Sequence, residues 1–319
     1  MPGLAEQSVL SPAGTQASTI HALWLLMLWV VTLVFVAVLA SVAVAVVKGI
    51  RNRTAVDPRP ASETSLVRGV GIAVAVTVVI LFVLLGASVW TGRSIASLRA
   101  STAVTIEITG HQWWWEIQYE EGTPARRVVT ANEIHIPSGR PVALKVTSRD
   151  VIHSFWVPNL QGKRDLIPGY TTAIWLQADR RGTFRGQCAE FCGLQHAHMA
   201  IDVVAESDED FESWLSAMRQ PSRSPPGAVE REGQEVFMRS RCATCHTIRG
   251  TDAAGQVAPD LTHLATRSTL GAGTVPNTPE HLAGWIRDPQ RVKPGNQMPP
   301  TPLSHEDLQS LVAYLRTLR

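Results

Sequence analysis

Apolar and polar positions divide the chain into stretches with different periods. From Gln7 to Val47 there is no Asp, Glu, Lys or Arg, and from about Leu23 onward nearly every residue in that run is apolar. A second charge-free run extends from Gly69 to Gly92. Each can cross the roughly 30 Å hydrocarbon layer as a helix, which takes about 20 residues. Their Val and Ile content does not argue for strands, because in lipid only helices and closed barrels satisfy their own backbone groups. Transmembrane helices are therefore predicted over about 22–47 and 69–91, forming a hairpin.

From about Ala103 to Val204 the period shortens to two. Val104–Thr109, Pro141–Thr147 and Ala173–Gln177 alternate, with Pro137-Ser-Gly and Pro168-Gly as turn signals between them. Short strands at this spacing predict an all-β sandwich or Greek-key barrel. Asp208–Met218 reads as a short amphipathic helix that closes this region. The segment Gln220-Pro-Ser-Arg-Ser-Pro-Pro-Gly227 reads as an exposed, semi-rigid linker. Beyond it the period is helical again, over Glu230–Arg239 and His305–Leu318, where Leu308, Leu311, Val312 and Leu315 share a face. The expected division is 1–100 for the tail and helical hairpin, 101–217 for the β domain, 218–227 for the linker and 228–319 for an all-α domain.

Charge sets an orientation. Lys48, Arg51, Arg53, Arg59 and Arg68 lie around the loop between the apolar runs, whereas the tail before them carries only Glu6. The positive-inside rule places that loop in the cytoplasm and both ends of the chain outside. A cleaved signal peptide followed by one anchor is the alternative, but it calls for a basic start that this tail lacks. A net charge of +2 gives no reason to expect a nucleic-acid partner.

All four cysteines fall in two patterns: Cys188-Ala-Glu-Phe-Cys192-Gly-Leu-Gln-His196-Ala-His-Met199 and Cys242-Ala-Thr-Cys245-His246. In the first, two thiolates, a His and a Met can converge only if the segment is a tight loop. Soft sulfur and imidazole ligands select copper, and two cysteines rather than one point to a binuclear centre with bridging sulfurs. A second His must then come from elsewhere, and His153 is the best candidate. A zinc site built from Cys188, Cys192, His196 and His198 is an alternative that leaves His153, Glu190 and Met199 without a role. A Cys188–Cys192 disulfide is another. His198 reads as a surface or packing residue, and His111 and His135 as structural.

The second pattern attaches c-type haem covalently, through Cys242 and Cys245, with His246 as the proximal ligand. Such attachment occurs outside the bacterial cytoplasm, which agrees with the orientation above. The sixth ligand must be distant in sequence. Met298, in Gly295-Asn-Gln-Met-Pro-Pro, is the first choice, with His263, His281 and His305 as rivals. A Met ligand would raise the haem potential.

With these residues in view, the chain resembles a known family. Asp150-x2-His-Ser-Phe-x-Val-Pro, Lys163-x-Asp-x-Ile-Pro-Gly, Gly186-Gln-Cys-x-Glu-x-Cys-Gly-x2-His-x2-Met and Gly110-His-Gln-Trp-Trp-Trp look like subunit II of cytochrome c oxidase, over roughly residues 20–215. The remainder resembles a small class I cytochrome c. There Gly233 and Phe237 match one of two crossing helices, Leu311 and Tyr314 the other, and Pro259-Asp-Leu261 the loop on the proximal His.

The resemblance implies a cupredoxin fold with the dicopper CuA centre, held by His153, Cys188, Cys192, His196, Met199 and the backbone carbonyl of Glu190. It also implies a Mg²⁺ held partly by the Glu190 carboxylate at the border with subunit I. Trp113 stands where the family's electrons come in. Trp114 and Phe155 depart from the family's Tyr and Trp, and both remain aromatic.

The function implied is a two-pass subunit of the bacterial plasma membrane. It would accept electrons at haem c from a cytochrome c or a quinol–cytochrome c reductase. They would pass through CuA to subunit I, one of several partner subunits, where oxygen is reduced to water with proton pumping. This chain lacks the transmembrane histidines of an oxygen site. Two alternatives stay open at the level of sequence: the electron-input subunit of a CuA-type nitric oxide reductase, and a membrane-tethered carrier with no enzyme partner.

Overall fold

Two long helices, α1 (Thr15–Asn52) and α2 (Glu63–Ser97), contain the two charge-free runs in this computed structural model, which describes residues 5–52, 62–97, 104–120 and 127–319. Both helices are long and apolar enough to cross a membrane. They overrun the predicted spans because a helix closes its own backbone hydrogen bonds and needs no apolar side chain to continue through a polar flank. Leu33, Phe35, Phe82 and Trp90 are among the many large apolar side chains they expose, which is the surface that lipid would cover. Arg53 and Arg59, which contribute to the predicted orientation, lie outside the described residues.

The β region is built from two five-stranded sheets. β1 (Thr105–His111), β2 (Trp114–Glu120), β3 (Val128–Ala131), β5 (Val142–Ser148) and β8 (Thr172–Leu176) form the first, in the order β3-β2-β1-β5-β8. β4 (Glu133–Pro137), β6 (His153–Trp156), β7 (Arg164–Leu166), β9 (Gly182–Cys188) and β10 (Ala200–Glu206) form the second, in the order β4-β10-β9-β6-β7. Burial alternates along β1, β2 and β5, as the two-residue period requires when one face meets a core. Ile106, Ile108, Trp115, Ile117, Leu144, Val146, Phe155 and Phe184 fill that core without exposure. This is a cupredoxin-like sandwich, with β1–β5 and β4–β10 as its parallel pairs.

Residues 6–14, read from sequence only as a tail, pack against this region. The Glu6 amide donates to Thr183 O, and the Arg185 amide to Glu6 O. Gly14 is confined there, because a Cβ would lie 2.4 Å from Gln177 O and 2.6 Å from Leu160 O.

Helix α3 (Asp208–Met218) occupies the predicted span, with the Ser207 hydroxyl accepting from the Asp210 amide and three carboxylates in its first turn. The last region holds α4 (Ala228–Arg239), α5 (Pro279–Arg287), α6 (Pro289–Val292) and α7 (His305–Leu315). Gly233 lets α4 and α7 cross closely, since a Cβ there would lie 2.0 Å from Ser310 O. The rings of Phe237 and Tyr314 meet edge-on at 6.3 Å beside that crossing. One addition to the predicted helices is a short ribbon, β11 (Thr269–Leu270) with β12 (Val275–Pro276). The linker segment is held at one end: the Ser222 amide and hydroxyl both donate to Arg249 O.

Candidate metal and haem centres

The end of β9 and the loop to β10 bring the sulfur ligands together. Cys188 Sγ and Cys192 Sγ are 3.8 Å apart. His153, from β6, puts Nδ1 3.8 Å from Cys188 Sγ, and His196 puts Nδ1 3.6 Å from Cys192 Sγ. Met199 Sδ lies 4.0 Å from Cys192 Sγ, and the Glu190 carbonyl oxygen 3.2 Å from Cys188 Sγ. All six predicted groups therefore converge, with His153, Cys188, Cys192 and Met199 buried.

Each thiol shifts the ionisation of the other. The Cys188 thiol is pulled down to about 3, first by its hydrogen bond with Cys192 and then by His153, against the cost of burial. The same proximity pushes Cys192 upward. Two adjacent buried sulfurs resist ionising together unless a cation lies between them. Soft donors, two imidazole nitrogens and a thioether suit copper.

Two residues that belong to the quoted motifs support the loop in ways the sequence does not show. Asp150 Oδ1 accepts from His153 Nε2 at 2.9 Å, which fixes the ring with Nδ1 toward the sulfurs. Gly110 leaves room for that ring: a Cβ there would lie 2.8 Å from His153 Cδ2. Trp113 is 9% exposed and donates its indole N–H to Cys192 O at 2.9 Å.

The Glu190 carboxylate is half-exposed and lies 3.6 Å from Lys163 Nζ. Among the described residues, His153, Cys188 and Cys192 make the one cluster of three or more His, Cys, Asp or Glu ligands. Among the described residues, the Glu190 carboxylate, which the resemblance gives to a Mg²⁺, belongs to no such cluster.

His111 stacks on Trp114 at 4.3 Å, and His135 bonds to Glu133 and Glu206, so both have packing roles. His198 is exposed and bonds to Gln195.

In the haem pattern, a short 3-10 turn over Cys242–Thr244 presents the two thiols ahead of His246. His246 Nδ1 donates to Pro259 O at 2.7 Å, which leaves Nε2 bare as a ligand atom. Burial, above all, holds His246 below its ordinary value and so neutral. The Met298 backbone is fixed by bonds to Asn296 and Gln290. Its three rivals are engaged: His263 with Arg249 and Gln220, His281 with Thr278, and His305 with Gln309. A bare imidazole nitrogen following two free thiols suits a haem.

Two family models match. One, described as cytochrome c oxidase subunit II, periplasmic domain, matches residues 120–206, and the other, cytochrome c, matches residues 230–319. Cytochrome c oxidase subunit 2 of Alkalihalophilus pseudofirmus is 35% identical over 98% of this chain and 91% of that protein. The chain belongs to the cytochrome c oxidase subunit II family. The same-named protein of Bacillus sp. strain PS3 is 31% identical over 76% of this chain and 72% of its own length. The solved periplasmic domain of subunit II of cytochrome oxidase from Bradyrhizobium japonicum is 31% identical and covers 38% of this chain and 96% of that one, at a TM-score of 0.35. This chain is thus a cytochrome c oxidase subunit II with a fused cytochrome c domain, and its family implies copper and haem at the two sites described.

Proposed function

We propose that this chain is the electron-input subunit of a bacterial haem–copper oxidase. It would receive electrons at the Cys242–His246 turn and release them from the Cys188–Met199 loop to a partner subunit I that reduces oxygen. When bound, a haem held by Cys242, Cys245, His246 and Met298 and a copper pair held by the six groups of the loop supply one-electron redox chemistry.

The chain's own residues hold and orient those groups. Cys188 and Cys192 would supply thiolates to the copper, His153 and His196 direct Nδ1 toward those sulfurs, and Asp150 keeps the His153 ring from turning. Met199, beside Cys192, and the Glu190 carbonyl, beside Cys188, would complete the donor set. Pro259 does for His246 what Asp150 does for His153. Trp113, bonded to the backbone of Cys192, is the side chain through which electrons reach the loop.

The observation that carries this reading is the position of Gly295, three residues before Met298. A Cβ on Gly295 would lie 2.8 Å from Leu194 Cδ2 in the copper loop and 3.8 Å from Trp113 Cη2. The segment bearing Met298 therefore rests on Trp113 and on Leu194 of the Cys188–Met199 loop. The donor is a soluble cytochrome c or a quinol–cytochrome c reductase, and helices α1 and α2 anchor the subunit in the plasma membrane with both ends outside. The Glu190 carboxylate would help hold a Mg²⁺ at the border with subunit I.

Purification in mild detergent, with optical and EPR spectra and oxygen uptake on one sample, tests the reading. Mixed-valence dicopper and c-type haem signals, additional haem subunits and oxygen consumption are expected. An isolated, oxygen-inert chain would refute the oxidase assignment.

A further inference from the structure

Lys293 is 2% exposed, an unusual place for an ammonium group. Its Nζ donates to three backbone carbonyls, Trp113 O, His198 O and Gly271 O, each at 2.7 Å. An ammonium has three protons and no acceptor, so this set uses all of them. The three carbonyls come from three separate segments. Trp113 precedes β2, His198 lies in the copper loop one residue before Met199, and Gly271 is in the β11–β12 turn.

That turn is itself shaped for contact. Gly271, Ala272 and Gly273 all take left-handed backbone, at φ 62°, 60° and 76°. Ala272 does so at a steric cost that its neighbours, as glycines, avoid. The turn places Ala272 O where the Ala200 amide, the first of β10, donates to it at 3.0 Å. It also seats Gly273 so closely that a Cβ would lie 2.8 Å from Ala200 Cβ. On the other side of Lys293, Gln195 Nε2 donates to Pro294 O at 2.7 Å.

We propose that Lys293 is a positioning residue: its ammonium ties the haem-bearing region to the Trp113 face of the copper loop, holding donor and acceptor segments at one fixed separation. The purpose rests on the electron-input reading, but the geometry does not. A tether alone raises the local concentration of a donor without fixing its orientation. A buried cation with three satisfied protons fixes both, because each bond has a preferred direction and none can be traded for water. Backbone carbonyls as partners also make the contact independent of side chains on the copper side. The clamp therefore pulls on the main chain that carries Trp113 and Met199.

The test compares full-length wild-type chain with Lys293→Met in detergent, by hydrogen exchange, by copper EPR and haem absorption, and by the rate of electron transfer between the two centres after flash reduction. Met keeps the length and apolar stem and removes the three donors. The expected result is lost protection over residues 198–202 and 270–275, unchanged protection in β5 and α7, and unchanged spectra. The ratio of docked to undocked chain, and with it the transfer rate, should fall about tenfold or more.

Retained protection in the variant would overturn the clamp. Lost protection with an unaltered rate would overturn its positioning role. Should Lys293→Met fail to fold, the Ala200 amide of the wild-type chain decides: slow exchange supports the docked contact, and exchange at the rate of an open loop overturns it. If neither copper nor haem signals appear in the wild type, the electron-input reading fails, and the clamp is judged on exchange alone.

Discussion

The indole N–H of Trp113 donates to the carbonyl of Cys192 at 2.9 Å, so a ring in the β1–β2 turn is joined to the backbone between Cys192 and His196. Gln112 Nε2 donates to the same oxygen at 2.8 Å. Trp113→Phe therefore removes one donor without orphaning the carbonyl. The stability cost should be about 1 kcal/mol. Copper EPR should be unchanged, while reduction of the copper site slows about tenfold, a barrier rise of about 1.4 kcal/mol. Stopped-flow reduction measures this, and an unaltered rate would remove Trp113 from the path.

Asp150 and His153 allow a separate test of the copper site. Asp150→Asn keeps the shape of the support but loses the carboxylate that holds His153 Nε2, at 2.9 Å. Copper affinity should drop about 10–100-fold, as for other partners of metal-bound imidazoles. Chelator competition on the full chain reads this directly, and equal affinity would mean the ring is oriented by packing against Gly110 and Trp115 instead.

The parts of this molecule visible in the sequence were those encoded locally. Cys188 to Met199 is one loop, so the spacing of its ligands already limits the geometry, and His153 alone had to be brought from another strand. The apolar runs of α1 and α2 are similarly self-contained. Asp150 was visible as part of a motif but not as a ring support, because only the fold shows which nitrogen of His153 faces it. Lys293 was not visible at all. It sits before Pro294-Gly295, where a lysine reads as solvent-facing, and its partners are carbonyls, which every residue offers. The β11–β12 ribbon was missed for a related reason: two-residue strands leave no periodicity, although Gly271-Ala-Gly273 signals a turn.

Met298 is tested by its spectrum. Met298→Ala leaves Cys242, Cys245 and His246 in place, so covalent haem should persist, while the Met-to-iron charge-transfer band at the red end of the spectrum disappears. The haem potential should fall, since a thioether ligand raises it. Persistence of the band would assign the sixth position to another residue. Each candidate His would first have to give up a bond made here, His263 to Arg249, His281 to Thr278 and His305 to Gln309.

His135 gives the β region a predictable pH response. Its Nδ1 bonds to Glu206 at 2.8 Å and its Nε2 to Glu133 at 3.1 Å, beneath the ring of Trp214. Burial works against the imidazolium, but the two carboxylates outweigh it and raise His135 above its ordinary 6.5. A raised base contributes stability that is complete below about 6.5 and lost as pH climbs through the folded value. Glu133 has the opposite sign: burial would raise it, yet His135 and Ser268 hold it below 4.5, so its contribution is present above 4.5 and lost as pH falls through its folded value. The pair thus stabilises most between about 4.5 and 6.5. Thermal unfolding of the full chain across pH should show a midpoint that declines above that window. His135→Gln should flatten this decline and lower the midpoint inside the window, by about 2–4 °C for each kcal/mol lost. If the variant declines with pH as steeply as the wild type, the alkaline loss of stability belongs to another group.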